Sequence, residues 1–445
     1  MKLPQYPKYR PSGTEWLENI PTHWVVKRGR FCMEVNPRSN RLRVLNAEDE
    51  VSFVPMEAVG EYGGLKLEQT CAISDFGSGY TEFDDGDVVV AKITPCFENG
   101  KGALATGLAN GAAFGTTELH VLRAAPTLDR RFLFHFTISS LFRSTGEGEM
   151  YGAGGQKRVP PEFCQNIRVP LPPPDDQACI ADFLDRETVK IDMLMAKKRT
   201  LIERLKEKRT ALISRSITRG LPPDASRAAG FDPHPKLKPS GIDWLGEVPE
   251  HWEVKKLRYL CTVQTGDKDT VNAVDDGEYP FYVRSQTVER IDSFTFDCEA
   301  VLTAGDGVGV GKVFHHHPGG PFDFHQRVYM MSEFRHVIGR FFFYFLREQF
   351  YKVALEGNAK STVDSLRRPL FMDFQFTIAP LPEQTAIAAF LDKETAKLDA
   401  LVAKVETAIE RLQEYRTALI TAAVTGKIDV RRQTADNARE TVTAA

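Results

Sequence analysis

Four glycines, Gly305, Gly307, Gly309 and Gly311, alternate through a run that ends in Lys312. A glycine-rich loop closed by lysine can cradle a phosphate on its backbone amides. The spacing does not follow through, because a P-loop needs glycine at 306 and Ser or Thr at 313, where the chain has Asp306 and Val313. No triplet of these glycines fits the dinucleotide pattern either, and a tight strand connection open to close backbone approach is the better reading. His315, His316, His317 and His325 have the side chains of a metal site. Adjacent residues of a strand point to opposite faces, so few of them could converge, and an exposed hairpin tip is expected. Glu253-Val254-Lys255 has the acid–x–lysine spacing of a nuclease, but its repeat copy, Val25-Val26-Lys27, lacks the carboxylate. Asp75-Phe76-Gly77-Ser78-Gly79 has the glycines of an S-adenosylmethionine loop without the Asn/Asp-Pro-Pro-aromatic element that amino-methylation also needs; Asn36-Pro37-Arg38 is not that element. No catalytic and no metal-ligating residue is therefore assigned.

What remains is chemistry for reading polar edges. In the N-terminal half the candidates are Lys92, Thr94, Asn99, Lys101, Gln156 and Lys157. In the C-terminal half they are Arg284, Ser285, Gln286, Lys312, His325, Gln326, Arg327, Lys360 and Ser361. Arginine and glutamine can make paired hydrogen bonds to guanine and adenine edges, and lysine and hydroxyl groups suit phosphates. Singly, each cluster also has the composition of a solvated turn. Trp24 and Trp252 could stack on bases, although packing against their own domain fits their setting better.

The elements that carry these clusters are written twice. Gln177, Ile180, Phe183, Leu184, Asp185, Glu187, Thr188, Lys190 and Asp192 return 207 residues later as Gln384, Ile387, Phe390, Leu391, Asp392, Glu394, Thr395, Lys397 and Asp399. The copy resumes from Arg209 to Ile213 and from Arg416 to Ile420. Each copy is free of glycine and proline through its body and reads as one helix, the first over 175–219 and roughly 65 Å long. A heptad places Leu184, Ile191, Lys198, Leu205 and Leu212 at a, with Ile180, Glu187, Leu194, Leu201 and Lys208 at d, an apolar seam with three charged interruptions. In the copy Leu391, Leu398, Val405, Leu412 and Leu419 take a, and Ile387 and Leu401 take d. Such a seam asks for a similar partner, and the simplest is the other copy, so the helices are expected to pair as a stiff spacer. A second repeat, 228 residues apart, matches Pro7, Pro11-Ser12-Gly13, Trp16, Pro21, His23-Trp24 and Lys27 to Pro235, Pro239-Ser240-Gly241, Trp244, Pro249, His251-Trp252 and Lys255.

These repeats fix a domain plan. Residues 1–169 hold a short segment and a first mixed α/β unit, with strands at 52–56, 87–93 and 119–122 and a helix at 131–142. The first long helix occupies 170–220. A Pro-rich linker, the second segment and a second unit fill 221–376, with strands at 281–283, 300–303 and 327–330. The second long helix covers 377–430, and 431–445 is expected to be a disordered tail. The fold class is thus mixed α/β with an internal two-fold repeat. At 445 residues two or three cores are affordable. A formal net charge of −3 leaves no whole-chain footprint for nucleic acid, so any basic face is local. Seven scattered cysteines without a C-x-x-C suit a reducing cytoplasm. The start has no signal peptide, and the apolar run at 341–346 is too short to span a bilayer.

The duplicated helix, with its Leu381-Pro382-Glu383-Gln384 start, its Phe-Leu-Asp-x-Glu-Thr centre and its Arg-Thr-Ala-Leu-Ile end, resembles the specificity subunit of Type I restriction-modification systems. So do the stretches 281–291, 323–331 and 360–369. The resemblance implies two target recognition domains, each reading half of a split, asymmetric duplex DNA sequence, and two antiparallel helices between them. It implies a non-catalytic chain on which two methyltransferase subunits dock, joined by two restriction-translocase subunits. S-adenosylmethionine, ATP and Mg²⁺ would belong to those partners and none to this chain. A coiled-coil scaffold without DNA specificity and a self-sufficient DNA methyltransferase or nuclease remain the alternatives.

Overall fold

The computed structural model describes residues 3–76, 79–153, 155–285, 287–305, 312–350 and 368–431. Gln286, Lys360, Ser361, the centre of the glycine run and the tail beyond Arg431 lie outside those residues. The two long helices are continuous, at Pro174–Arg219 and Leu381–Val424. Asp175 and Asp176 stand in the first turn of one and Glu383 in the first turn of the other, where carboxylates oppose the positive end of the helix dipole.

Contacts divide the chain into two compact units, Met1–Lys198 with Thr407–Ala445, and Arg199–Glu406. Each unit holds the start of one long helix and the end of the other. In the first unit, Val25–Arg28 pairs antiparallel with Arg168–Leu171. Glu50–Val54 lies parallel to Ala112–Gly115 and antiparallel to Thr70–Ala72, and Thr81–Asp84 flanks Ala112–Gly115. A second sheet orders Met33–Val35, Leu119–Ala124, Val88–Ala91 and Gly102–Leu104. All four residues of Val88–Ala91 are buried, which is why that strand reads as an unbroken apolar run. The helix expected at 131–142 is two helices, Arg130–Thr137 and Ser140–Gly148. The Ser139 hydroxyl accepts from the Phe142 amide and starts the second, as a serine N-cap does.

The second unit repeats the plan with other strands. Glu253–Lys256 pairs with Gln375–Ile378. One sheet orders Thr262–Thr265, Val328–Ser332, Ala300–Ala304 and Val313–His316; a smaller one orders Glu289–Ile291, Tyr279–Tyr282 and Asp323–Phe324. The apolar run forms the buried helix Gly339–Phe345. Trp24 and Trp252 are fully buried in their own units, so neither ring can stack on a base. Only His317 of the histidine run lies on the exposed tip. His315 reaches Glu299 at 2.9 Å and His316 reaches the Tyr282 hydroxyl at 2.9 Å, on opposite sides of the strand. Among the described residues no group of three His, Cys, Asp or Glu is placed to hold a metal, and no helix is long and apolar enough to cross a membrane.

One set of contacts fastens the helices in both units, with a histidine in one where the other has a tyrosine. The Gln177 side-chain oxygen accepts from the Asp129 amide, and its nitrogen donates to the carbonyls of Thr127 and Pro172. Gln384 does the same with the Ile338 amide and the carbonyls of His336 and Ala379. Arg131 and His135 bind Asp185 at 3.1 and 2.7 Å, and Arg340 and Tyr344 bind Asp392, each at 2.6 Å. Within the first unit Arg416 meets Asp192 at 3.0 Å; within the second Arg209 meets Asp399 at 2.9 Å. These two bridges are each other's repeat image, and each is the signature of antiparallel packing inside its own unit.

The seam itself is corrected by one residue. Ile180, Leu184, Ile191, Ile387, Leu391, Leu398 and Leu419 are buried, and Leu205, Leu212, Val405 and Leu412 are half-buried. Leu194 and Leu201, each 44% exposed, and Leu401, 46% exposed, face outward instead of pairing. Their places are taken by Met195, Ile202 and Val402, in register with Thr188 and Arg209 and with Thr395, Ile409 and Arg416. The reason is electrostatic. The expected register would have buried Glu187 and Lys208, whereas the observed one leaves Glu187 half-exposed and paired with Lys190 at 2.9 Å. Burying an unpaired charge costs far more than exposing a leucine.

Candidate nucleic-acid interface

In the first unit, the end of the Val88–Ala91 strand and the turn after Tyr151 are tied together. The Thr94 hydroxyl donates to the Gly155 carbonyl and accepts from the Lys157 amide, each at 2.8 Å. The Val159 amide donates to the Lys92 carbonyl. Arg158 forms a paired bridge to Glu118 at 2.7 and 3.0 Å, and that bridge first of all holds the Glu118 carboxyl below its ordinary value. Lys92, Thr94, Gln156 and Lys157 are therefore brought into one neighbourhood, with Gln156 and Lys157 exposed. Thr94 spends its hydroxyl on shaping the turn.

The Asn99–Lys101 loop is set from below. Arg143, buried among Phe97 and Phe142, donates to the carbonyls of Phe97 and Lys101. Burial pushes its guanidinium well below the ordinary arginine value. From the side, Tyr62 takes a positive φ, donates its amide to the Gly100 carbonyl and lies against Gly100, while Arg416 of the second long helix covers the Tyr62 ring. Lys101 is turned inward and donates to the Met56 carbonyl at 3.0 Å. Asn99 is exposed.

Sequence reasoning passed over the neighbouring hollow. A cavity of about 550 Å³ is lined by Asn36, Arg38, Tyr80, Glu82, Lys92 and Thr117 among others. Beside it Phe53, Phe76, Tyr80 and Phe114 form a ring cluster. The basic residues Arg38, Arg41 and Arg43 and the aromatics Phe76 and Tyr80 lie more than 30 residues apart in the sequence, and no periodicity singled them out.

In the second unit the candidates gather on Asp269, which sequence reasoning also missed. Gln326 donates its amide to Asp269 at 2.5 Å, and Asp269 lies near both Arg284 and His325. The Thr270 amide, first, and then Gln326 hold the Asp269 carboxyl below its ordinary value. His325 is not presented outward. It is 1% exposed, and its Nδ1 accepts from the Arg327 amide at 2.9 Å. Ser285 closes its own turn by donating to the Thr287 carbonyl at 2.5 Å. Lys312 stands over the Phe314 ring at 4.9 Å. Gln326 and Arg327 are exposed. Each unit thus shows short turns at one end of its sheets, carrying exposed amide and cationic side chains over turns fixed by internal hydrogen bonds. That arrangement can present hydrogen-bond donors and acceptors at set positions, and among the described residues neither cluster holds a nucleophile beside a base.

Residues 249–411 match the Type I restriction modification DNA specificity domain. The chain is 42% identical over 160 residues to the specificity subunit of the Type I restriction enzyme EcoAI of Escherichia coli, covering 36% of this chain and 27% of that protein. It is 36% identical over 201 residues to the EcoEI specificity subunit of Escherichia coli, covering 45% and 33%. The matched stretches span about a third of those relatives or less. Among solved structures, a chain from work on complex assembly and conformational transition of the type I R-M system superposes with a TM-score of 0.65 at 18% identity, covering 91% of this chain and 98% of that one. The HsdS subunit from Thermoanaerobacter tengcongensis gives 0.51 at 16%, covering 92% and 98%. These two likenesses speak to the fold.

Proposed function

We propose that the chain, whose residues 249–411 match a Type I restriction modification DNA specificity domain, is a specificity subunit of a Type I restriction-modification system and recognises a two-part DNA target without catalysing a reaction. Each unit reads one half. The observation that carries this is the pairing of an identical frame with unlike inserts. Gln177 and Gln384, and Asp185 and Asp392, fasten both units alike, while the exposed turns carry different sets, Asn99, Gln156 and Lys157 in the first unit and Gln326 and Arg327 in the second. A frame kept twice around different polar surfaces suits two different sequences read by one plan. Methyltransferase and restriction-translocase subunits dock on this chain, in a cytoplasmic complex. They carry S-adenosylmethionine, ATP and Mg²⁺, and this chain carries no cofactor.

The test is reconstitution. The purified chain alone is expected neither to methylate nor to cleave DNA, and with its methyltransferase it directs methylation to a two-part site. Replacing residues 31–169 by those of a relative changes one half of that site. Methylation by the chain alone sinks the proposal, and assembly without sequence preference favours a scaffold.

A further inference from the structure

The first long helix carries a cationic stripe that the frame does not use. Within the second unit, Arg204, Lys208, Arg215 and Arg219 are all exposed. At about 100° per residue they fall inside an arc of about 60°, and they run about 22 Å along the helix. No other residue of the stretch falls inside that arc; Ala211 and Leu212 lie about 20° beyond its two edges, and no carboxylate shares it. Elsewhere on the same stretch charges are matched in pairs, Lys206 with Glu203 at 3.0 Å and Arg209 with Asp399 at 2.9 Å. Glu207 lies on the flank of the arc.

The repeat supplies a control. The matching positions of the second copy are Arg411, Tyr415 and Ala422 on the helix and Gly426 just past its end. Three of the four cations are therefore dispensable to the shared frame. The favourable dipole at a helix C-terminus accounts for cations in the last turn. It does not account for Arg204 and Lys208, which stand three to four turns earlier.

We propose that Arg204, Lys208, Arg215 and Arg219 form a phosphate-backbone contact for duplex DNA, separate from the sequence-reading turns. The chemistry of the face favours DNA over a protein partner. Protein interfaces centre on aromatic and apolar anchors, and this arc offers none, with only Ala211 and the half-buried Leu212 at its edges. Protein–DNA interfaces are polar and strongly positive. A net charge of −3 makes such a local patch the means by which an acidic chain meets a polyanion. The proposal rests on the reading that the chain meets duplex DNA, but not on sequence recognition.

The full chain carrying R204Q, K208Q, R215Q and R219Q keeps good helix formers at every position, and a circular-dichroism melt checks that it folds. Binding of a fluorescent duplex carrying the target, and of a scrambled duplex, is followed from 50 to 200 mM salt. Each lost phosphate contact removes about 0.9 from the slope of log affinity against log salt. The quadruple variant should lose up to about 3.6, and its preference for target over scrambled duplex should stay unchanged. R411Q on the second helix should change the slope by no more than about 1. An unchanged slope in the quadruple variant overturns the stripe and leaves the recognition reading standing. So does an unchanged slope joined to lost co-purification with the methyltransferase subunit, which makes the face a protein surface. A wild-type slope that falls in the variant while neither protein distinguishes target from scrambled DNA supports the stripe and sinks the recognition reading. A wild-type chain that binds no duplex at 50 mM salt, either alone or with its methyltransferase subunit, overturns both.

Discussion

Asp176→Glu should stabilise the first unit, and the reason is a defect that its twin lacks. In the second unit Glu383 accepts from His251 at 2.9 Å and from the buried Trp252 indole at 3.1 Å. In the first, Asp176 accepts from His23 at 2.8 Å, and among the described residues the buried Trp24 indole nitrogen has no hydrogen-bond partner. The carboxylate is one methylene too short. A buried donor left unpaired costs about 1–3 kcal/mol, and a hydrogen bond to a charged acceptor contributes about 1.5–3 kcal/mol. Against this stand the ordering of one more side-chain torsion and any disturbance of Arg431, 3.8 Å from Asp176. The net gain should be about 1 kcal/mol, which in a unit of this size raises Tm by about 2–4 °C. The reciprocal Glu383→Asp orphans Trp252 and should cost about 1–2 kcal/mol. Thermal melts of the full chain followed by tryptophan fluorescence, with hydrogen exchange to assign each change to its unit, measure both. If Asp176→Glu destabilises, or if Glu383→Asp is neutral, the indole–carboxylate contact is not what distinguishes the two units.

The seam register predicts that Met195→Ala, at a buried position, costs about 2–5 kcal/mol, while Leu194→Ala changes stability by less than about 0.5 kcal/mol; equal losses in denaturant melts would restore the register expected from sequence. Burial holds His120 and His135 below the ordinary histidine value, so below about pH 6.5 the unfolded chain binds more protons than the folded one. The stability of the first unit should therefore be full above that pH and fall as pH drops towards the folded-state values. His135→Gln should flatten part of the slope, and a denaturation midpoint independent of pH between about 7.5 and 5.5 would contradict this. Burial pushes the Cys164 and Cys261 thiols up to about 12, so brief alkylation at about pH 8 should spare both and modify some of the half-buried Cys71, Cys96, Cys179 and Cys298. Mass spectrometry showing Cys164 labelled as fast as those four would refute it.

The sequence by itself determined the doubled frame. Long helices, their common offset and the two tryptophan segments are local patterns, written in residue order, and a local pattern survives without knowledge of what packs on it. It also determined that the exposed turns would be polar. It did not determine which polar atoms are spent inside. Thr94, Lys101, Ser285 and His325 have the right chemistry for DNA, yet each gives polar atoms to a neighbouring backbone group. Those partners lie up to 63 residues away for Thr94 and 45 for Lys101, beyond any spacing rule. Tertiary structure alone also decided the seam. Two heptad registers one residue apart share every a-type leucine, and the choice fell to whether Glu187 and Lys208 or Thr188 and Arg209 would face the partner. Arg209 could be accommodated only because Asp399 stands opposite it at 2.9 Å, a neighbour that sequence order does not announce.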